Sequence, residues 1–267
     1  MILASASPLS LALALCAAAA YAVSAASAAR LGAPVARAAV WVAWTLHGLL
    51  LGLGLLGQPP RFGFAPALSV TVWMAAAVYA IESQVFPHLR TRWTLAALGT
   101  VAIVLAFVFP GSPLHPNASP WLPLHWALGI ASYGLFGVAV VHAWFMSRAE
   151  DRIRLAADSN NGMPLLTLER LTFRFVEAGF ILLSATLLAG FLFGSALYGP
   201  GKAVHWDHKT AFSALSWLTF AVLLLGRARF GWRGKRAVRG VYIGSGLLLL
   251  AYVGSRFVME VILGRTL

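Results

Sequence analysis

Acidic residues are scarce in this chain of 267 residues: 8 Asp and Glu stand against 20 Lys and Arg, and only 10% of all residues are charged. There is one cysteine, which excludes a disulfide framework, a CxxC redox pair and a CxxCH site for covalent heme attachment. No HExxH sequence occurs, so the commonest helical zinc-hydrolase arrangement is absent. Long polar stretches are lacking too, and no segment between the hydrophobic runs is large enough for a water-soluble domain. No repeat of 20 to 50 residues is present.

What the chain has is apolar sequence: 60% of its residues are hydrophobic, and the mean hydropathy is +0.81. A bilayer's hydrocarbon layer is about 30 Å thick, so a spanning helix takes about 20 apolar residues. Eight such runs are legible, at 8–29, 35–56, 66–86, 93–110, 122–147, 175–197, 208–226 and 239–263. The expected fold is therefore an all-α, polytopic membrane bundle of about eight helices, formed as one membrane domain over residues 1–267.

A formal charge of +12 would suit a nucleic-acid partner if it lay on one soluble face, but here the cations occupy short loops and call for none. Arg30, Arg37, Arg90, Arg92, Arg148, Arg152, Arg154, Arg170, Arg174, Arg227, Arg229, Arg233, Lys235, Arg236 and Arg239 fall in alternate connections, against Arg61, Lys202, Lys209 and Arg265 in the others. By the positive-inside rule this places both termini on the outer side. The first run ends in "AASAAR", which resembles a signal cleavage site. It lacks a basic leader, and the arginine parity favours keeping it as a span.

The connection "PGSPLHPNASPWLP" is proline-rich and uncharged, and is expected as an ordered outer loop or shallow re-entrant cap. On the inner side, "TLERLTFRF" has helical spacing; it reads either as a helix lying along the interface, with Arg170 and Arg174 meeting lipid phosphates, or as a solvated connector capped by Thr167. Most of the 10 tryptophans lie near the ends of the runs, as an interfacial aromatic belt would require.

Ionisable groups within hydrocarbon cost about 2.5–3.5 kcal/mol each on insertion scales, so those present invite a functional explanation. His47 sits within the second run, about 15 Å below its outer end by helical rise; His125 opens the fifth run at about 6 Å; His208 opens the seventh. Three imidazoles on separate helices in the outer half suggest a ligand. A heme needs only one or two imidazoles, aromatic walls and cations for its propionates. His125 and His208, at similar depth, are the candidate axial pair, with His47 as a deeper binding step. Lys209 and Arg256 are candidate propionate partners, although Arg256 could equally pair with Glu260 four residues on. Asp207 reads either as a partner of an imidazole or as a helix cap.

The run "HWDHKTAFSALSWLTFAVLL" resembles a shortened form of the tryptophan-rich "WxWDPKET…W" segment of the cytochrome c assembly proteins, the group that includes CcsA, CcmC and the HemX-like and YpjD-like proteins. "WLPLHWALGIASYGLFGVAVVHA", "GRARFGWRGKRA" and "AYVGSRFVMEVIL" extend the likeness over the second to eighth runs. The nearest likeness is to the YpjD-like and HemX-like branch. The resemblance implies a multi-pass protein of the bacterial inner membrane that binds or passes non-covalent, b-type heme near the outer face. It implies heme, lipid and a cytochrome c assembly protein or apocytochrome as partners. Carried over by position, His125 and His208 match outer histidines, His47 matches an intramembrane one, and Trp206, Asp207 and Lys209 match the remnant of the tryptophan-rich motif. The motif's first tryptophans and glycines are missing and His208 stands where it has proline, so heme attachment by this chain alone, and hence an enzyme, is not expected. The other reading is a non-catalytic membrane partner that regulates tetrapyrrole synthesis or a transporter and holds no heme. A solute carrier is a third, disfavoured by the absence of an inverted repeat.

Overall fold

The computed structural model describes residues 8–26, 33–56, 61–85, 92–113, 122–154, 164–198 and 208–263. Trp206 and Asp207, most of the proline-rich loop, and residues 155–163 lie outside the described residues. Eight helices account for most of the rest: α1 (Pro8–Ala26), α2 (Ala33–Leu56), α3 (Phe64–Val85), α4 (Arg92–Val108), α5 (Leu122–Arg154), α6 (Leu165–Tyr198), α7 (His208–Phe230) and α8 (Lys235–Leu249). The last continues through a π turn (Leu250–Gly254), a helical turn (Ser255–Phe257) and a second π turn (Val258–Ile262). Two short strands, β1 (Arg61–Phe62) and β2 (Ser112–Pro113), pair antiparallel, with Arg61 opposite Pro113; β2 lies in the described part of the proline-rich connection.

Among the described residues five helices are long and apolar enough to cross a membrane, and the apolar parts of α2, α3 and α4 are shorter. At 1.5 Å per residue the 24 residues of α2 and 22 of α3 reach about 36 and 33 Å, enough for the hydrocarbon layer. The surface is inverted relative to a water-soluble protein. Leu188, Phe191 and Leu192 of α6 and Leu218, Val222 and Leu225 of α7 are exposed, while the buried positions combine many alanines and several serines with a few large side chains such as Phe136, Phe173 and Phe220. Lipid is as apolar as leucine, so these helices gain little by hiding large side chains. They associate through close backbone approach and interhelical hydrogen bonds.

The chain divides into two compact units, one comprising residues 1–114 with 259–267 and the other residues 115–258. In the first, α1 packs on α2 and α4, and α3 packs on both of these, closing a ring of four. Ala14, Ala17 and Tyr21 recur at helical spacing on the inner face of α1 and meet Ala43, Ala96 and Ile103. Gly99 is required there: a β-carbon on it would lie 2.9 Å from the Tyr21 ring.

In the second unit α5 packs on α6 and α8, and α7 packs on α6 and α8, another ring of four. Its centre is a stack of Phe136 on Phe220, with ring centroids 3.9 Å apart and planes 6° from parallel. Glycines admit both rings, since β-carbons on Gly179 and Gly244 would come within 3.0 Å of Phe136 and 2.7 Å of Phe220 respectively. Gly240 and Gly244 form a GxxxG pair facing α7. Ser132 donates to the Gly179 carbonyl (3.1 Å) and Ser216 to the Gly244 carbonyl (2.8 Å), joining the helices across the same glycines.

Two expectations need correction. "TLERLTFRF" is neither an interfacial helix nor a connector: it is part of α6, which runs unbroken from Leu165 to a kink at Phe193. Its charge is accommodated because buried Glu169 accepts Arg227 of α7 at 3.0 Å and meets Arg233 at 3.4 Å. Nor are the tryptophans simply a belt. Trp44 and Trp73 stack within the first unit at 4.6 Å and 8°, and each indole N–H donates to the other residue's carbonyl at 3.0 and 2.9 Å.

Candidate functional site

Within the second unit the side-chain pairs fix how the helices align. On α5 and α6, Ser132 and Phe136 meet Gly179, His142 meets Phe175 and His125 meets Gly190, so the two run antiparallel. On α6 and α7, Phe180 stacks on Trp217 and Phe173 lies under Arg227, again antiparallel. Helices α5 and α7 therefore run parallel, in the register set by Phe136 on Phe220. Eleven residues before Phe136 stands His125, and eleven before Phe220 stands Lys209. Eleven residues are about three helical turns, so both side chains return to the inward face at one level. His208 is at that level as well, about 100° round the helix, and exposed.

The same tier takes in α6 and α8. The His125 ring lies against Gly190, where a β-carbon would be 3.5 Å from its Cε1; any larger side chain at 190 would press on the imidazole. On α8, Tyr133 donates its hydroxyl to the Leu248 carbonyl, and its ring meets Tyr252 edge-on at 6.4 Å. Arg256 follows one turn later, with its guanidinium 5.9 Å from the Tyr252 ring centre. This is where α8 widens into π turns, a distortion that is frequent at functional sites. By helix register, His125, His208, Lys209 and Arg256 fall toward the same end of the second unit as Tyr133 and Tyr252. Trp206, expected with them, lies outside the described residues.

His47 belongs to the first unit, where it is wholly buried. Its Nε2 shares a hydrogen bond of 2.7 Å with Ser69 Oγ on α3. The Tyr21 ring stands edge-on to it at 5.8 Å and 89°. Among the described residues neither His47 Nδ1 nor the Tyr21 hydroxyl has a hydrogen-bond partner. His142, near the other end of α5, is a core residue: its Nδ1 is 2.9 Å from the Val138 carbonyl one turn earlier, and its ring packs on Phe175.

Among the described residues no three of His, Cys, Asp and Glu converge as a metal cluster would require. In kind, the groups at the His125 end fit a porphyrin: imidazole for iron, a lysine and an arginine for carboxylate side chains, and aromatic rings for the macrocycle. Ser69, Tyr21, Tyr133, Tyr252 and Gly190 were not marked by the sequence. Each matters through a neighbour on another helix, and no local pattern announces that.

A family model described as cytochrome C assembly protein matches residues 33–263. The chain belongs to that family of polytopic membrane proteins. It is 29% identical to the inner membrane protein YpjD of Escherichia coli strain K12 over 169 residues, which are 62% of this chain and 63% of that protein. The match thus spans less than two thirds of YpjD's length. An uncharacterized 28.8 kDa protein of Azospirillum brasilense is 31% identical over 74% of this chain and 76% of its own length. The cytochrome c biogenesis protein CcsA of Prochlorococcus marinus (strain CCMP1986) is 23% identical over 79% and 67%. No solved structure matches the chain significantly.

Proposed function

We propose that this protein is a heme-handling component of cytochrome c assembly in the bacterial inner membrane, which receives non-covalently bound heme as cargo at the His125 end of its second helical unit. What supports the reading is the helix register counted from the Phe136–Phe220 stack, which would bring His125, His208, Lys209 and Arg256 to a similar level, in a chain whose family is that of a cytochrome c assembly protein. His125 is the iron ligand embedded in the bundle; His208, exposed on the first turn of α7, is the ligand that completes or releases the pair. Lys209 and Arg256 hold the propionates. His47 serves as a further site in the first unit, reached only when its bond to Ser69 opens or through its other ring nitrogen. The arginine distribution supports an outward-facing His125 end and both termini outside. The partner is an apocytochrome or another assembly protein that takes the heme onward.

Spectroscopy of the purified protein tests this. Isolated with heme or titrated with hemin in detergent, it should develop a Soret band that His125→Ala abolishes and His208→Ala shifts or weakens, while His142→Ala leaves it intact. A protein that stays colourless at saturating hemin, although folded, would instead be a non-catalytic membrane partner of tetrapyrrole synthesis or transport. The bonds that seat the two imidazoles in the bundle, His47 Nε2 with Ser69 Oγ and His142 Nδ1 with the Val138 carbonyl, give both rings a structural role and favour this second reading.

A further inference from the structure

The opposite end of the second unit carries a feature that heme handling does not use. Between the end of α5, the start of α6 and the turn joining α7 to α8 lies an open hollow of about 690 Å³. Arg154, Arg233, Lys235 and Arg236 line it, with Glu150 as the one carboxylate among the described residues there, and Phe230 and Trp232 form its apolar side. A positive-inside bias asks only for cations near the membrane; it does not ask for a shaped recess, and this one is built. Glu169 ties Arg227 and Arg233 down onto α6. Trp232 is folded onto Gly226, where a β-carbon would come within 2.3 Å of the indole, and its backbone N–H bonds the Gly226 carbonyl at 3.2 Å. Gly231 and Gly234 take the left-handed φ values of 62° and 57° that such a reversal needs.

Depth selects the ligand. α7 is apolar from Ala211 to Gly226, carries Arg227 and Arg229 in its last turn and ends at Phe230, which is 77% exposed. The recess therefore opens where a spanning helix leaves hydrocarbon, at the level of lipid phosphates. Glu150 lies beside Gly234, with Oε1 3.1 Å from where a β-carbon would stand, so its charge is directed at the start of α8. Arg154, Lys235 and Arg236 remain for another anion, next to an exposed aromatic ring suited to acyl chains. We infer that this recess is a binding site for the phosphate headgroup of an anionic membrane phospholipid, with the lipid's chains lying against Phe230.

Native mass spectrometry of the full chain released from detergent, with phosphatidylglycerol or phosphatidylcholine added, tests it. Phosphatidylglycerol should be retained in preference to phosphatidylcholine. The triple variant Arg154→Gln, Lys235→Gln, Arg236→Gln should lose this preference by at least about tenfold in affinity. A control with the same loss of charge outside the recess, Arg148→Gln, Arg174→Gln, Arg229→Gln, should keep it. Equal losses in the two variants would reduce the site to diffuse attraction and overturn the proposal. So would displacement by millimolar inorganic phosphate, which would mark a site for a soluble anion, or an absence of headgroup preference in the wild type. Circular dichroism and thermal melting of both variants separate lost binding from lost folding, and a variant that fails to fold is replaced by Lys235→Gln, Arg236→Gln, for which a proportionate loss is expected.

Discussion

His47 on α2 and Ser69 on α3 share a hydrogen bond of 2.7 Å with both side chains sealed from the surface. Nothing replaces the hydroxyl if it is removed, because the ring's other nitrogen already lacks a partner among the described residues. Interhelical hydrogen bonds in membranes average only about 0.6 kcal/mol, but leaving a buried polar group without any partner costs about 1–3 kcal/mol. Ser69→Ala should therefore destabilise the protein by about 1–2 kcal/mol in reversible unfolding. In a His47→Ala background the same change should cost less, a coupling that a double-mutant cycle reads directly.

The two glycines Gly244 and Gly246 make a controlled comparison on α8. A β-carbon on Gly244 would enter the Phe220 ring at 2.7 Å, whereas nothing lies within 4 Å of one on Gly246. Phe220 is held by its stack on Phe136 and has little freedom to yield. Gly244→Ala is expected to lower stability by about 1–3 kcal/mol through overpacking. Gly246→Ala should be neutral or raise it by up to about 1 kcal/mol, since alanine is the better helix former. Thermal melting of the two variants side by side decides this, and similar melting points would contradict the packing described for α7 and α8.

Glu169 should be the most sensitive of the charged residues near the turn between α7 and α8. Its carboxylate is 10% exposed and neutralises Arg227, which lies 3.6 Å above the Phe173 ring. Glu169→Gln leaves Arg227, itself largely covered, without its counter-charge; a loss of about 1–3 kcal/mol is expected. Arg233→Gln removes a partner whose side chain is 67% exposed, and its effect should stay below about 1 kcal/mol. Denaturation at two salt concentrations checks the assignment: the small effect of Arg233 should shrink in high salt, and that of Glu169 should persist.

These residues also mark what the sequence could and could not disclose. Long apolar runs require burial or lipid wherever they fall, so the helices were legible, and so was the opening of the fifth and seventh runs by histidine. The start of α6 was not. Glu169, Arg170 and Arg174 look like a solvated stretch until Arg227, 58 residues later, is seen to meet the carboxylate. Trp44 and Trp73 look interfacial because the carbonyls that accept their N–H groups are supplied by one another across α2 and α3. The isolation of His47 was visible, but not Ser69 or Tyr21, which any apolar helix could carry. Depth counted along single helices made His125 and His208 the candidate pair and Lys209 a candidate cation; which of these faces inward depends on the register between α5 and α7, and that is carried by the Phe136–Phe220 stack.

Gly190 offers a test of the candidate site that leaves every proposed ligand in place. Its missing side chain is what lets the His125 ring rest between α5 and α6, with room for a single methyl group at contact distance, since a β-carbon would lie 3.5 Å from Cε1. Gly190→Ala should therefore bind hemin much as the wild type does. Gly190→Leu adds a branched chain into the same seam and must turn the imidazole or push the helices apart; because the neighbouring surface of α6 faces lipid, with Phe191 and Leu192 exposed, the structure can yield at modest cost, about 1–3 kcal/mol. Hemin affinity should fall by at least about tenfold, equivalent to about 1.4 kcal/mol, beyond any change produced by an equally bulky Gly52→Leu, where nothing lies within 4 Å. Titration of the Soret band across the three variants reads this out. Unchanged affinity in Gly190→Leu, with the protein folded, would remove His125 as an iron ligand.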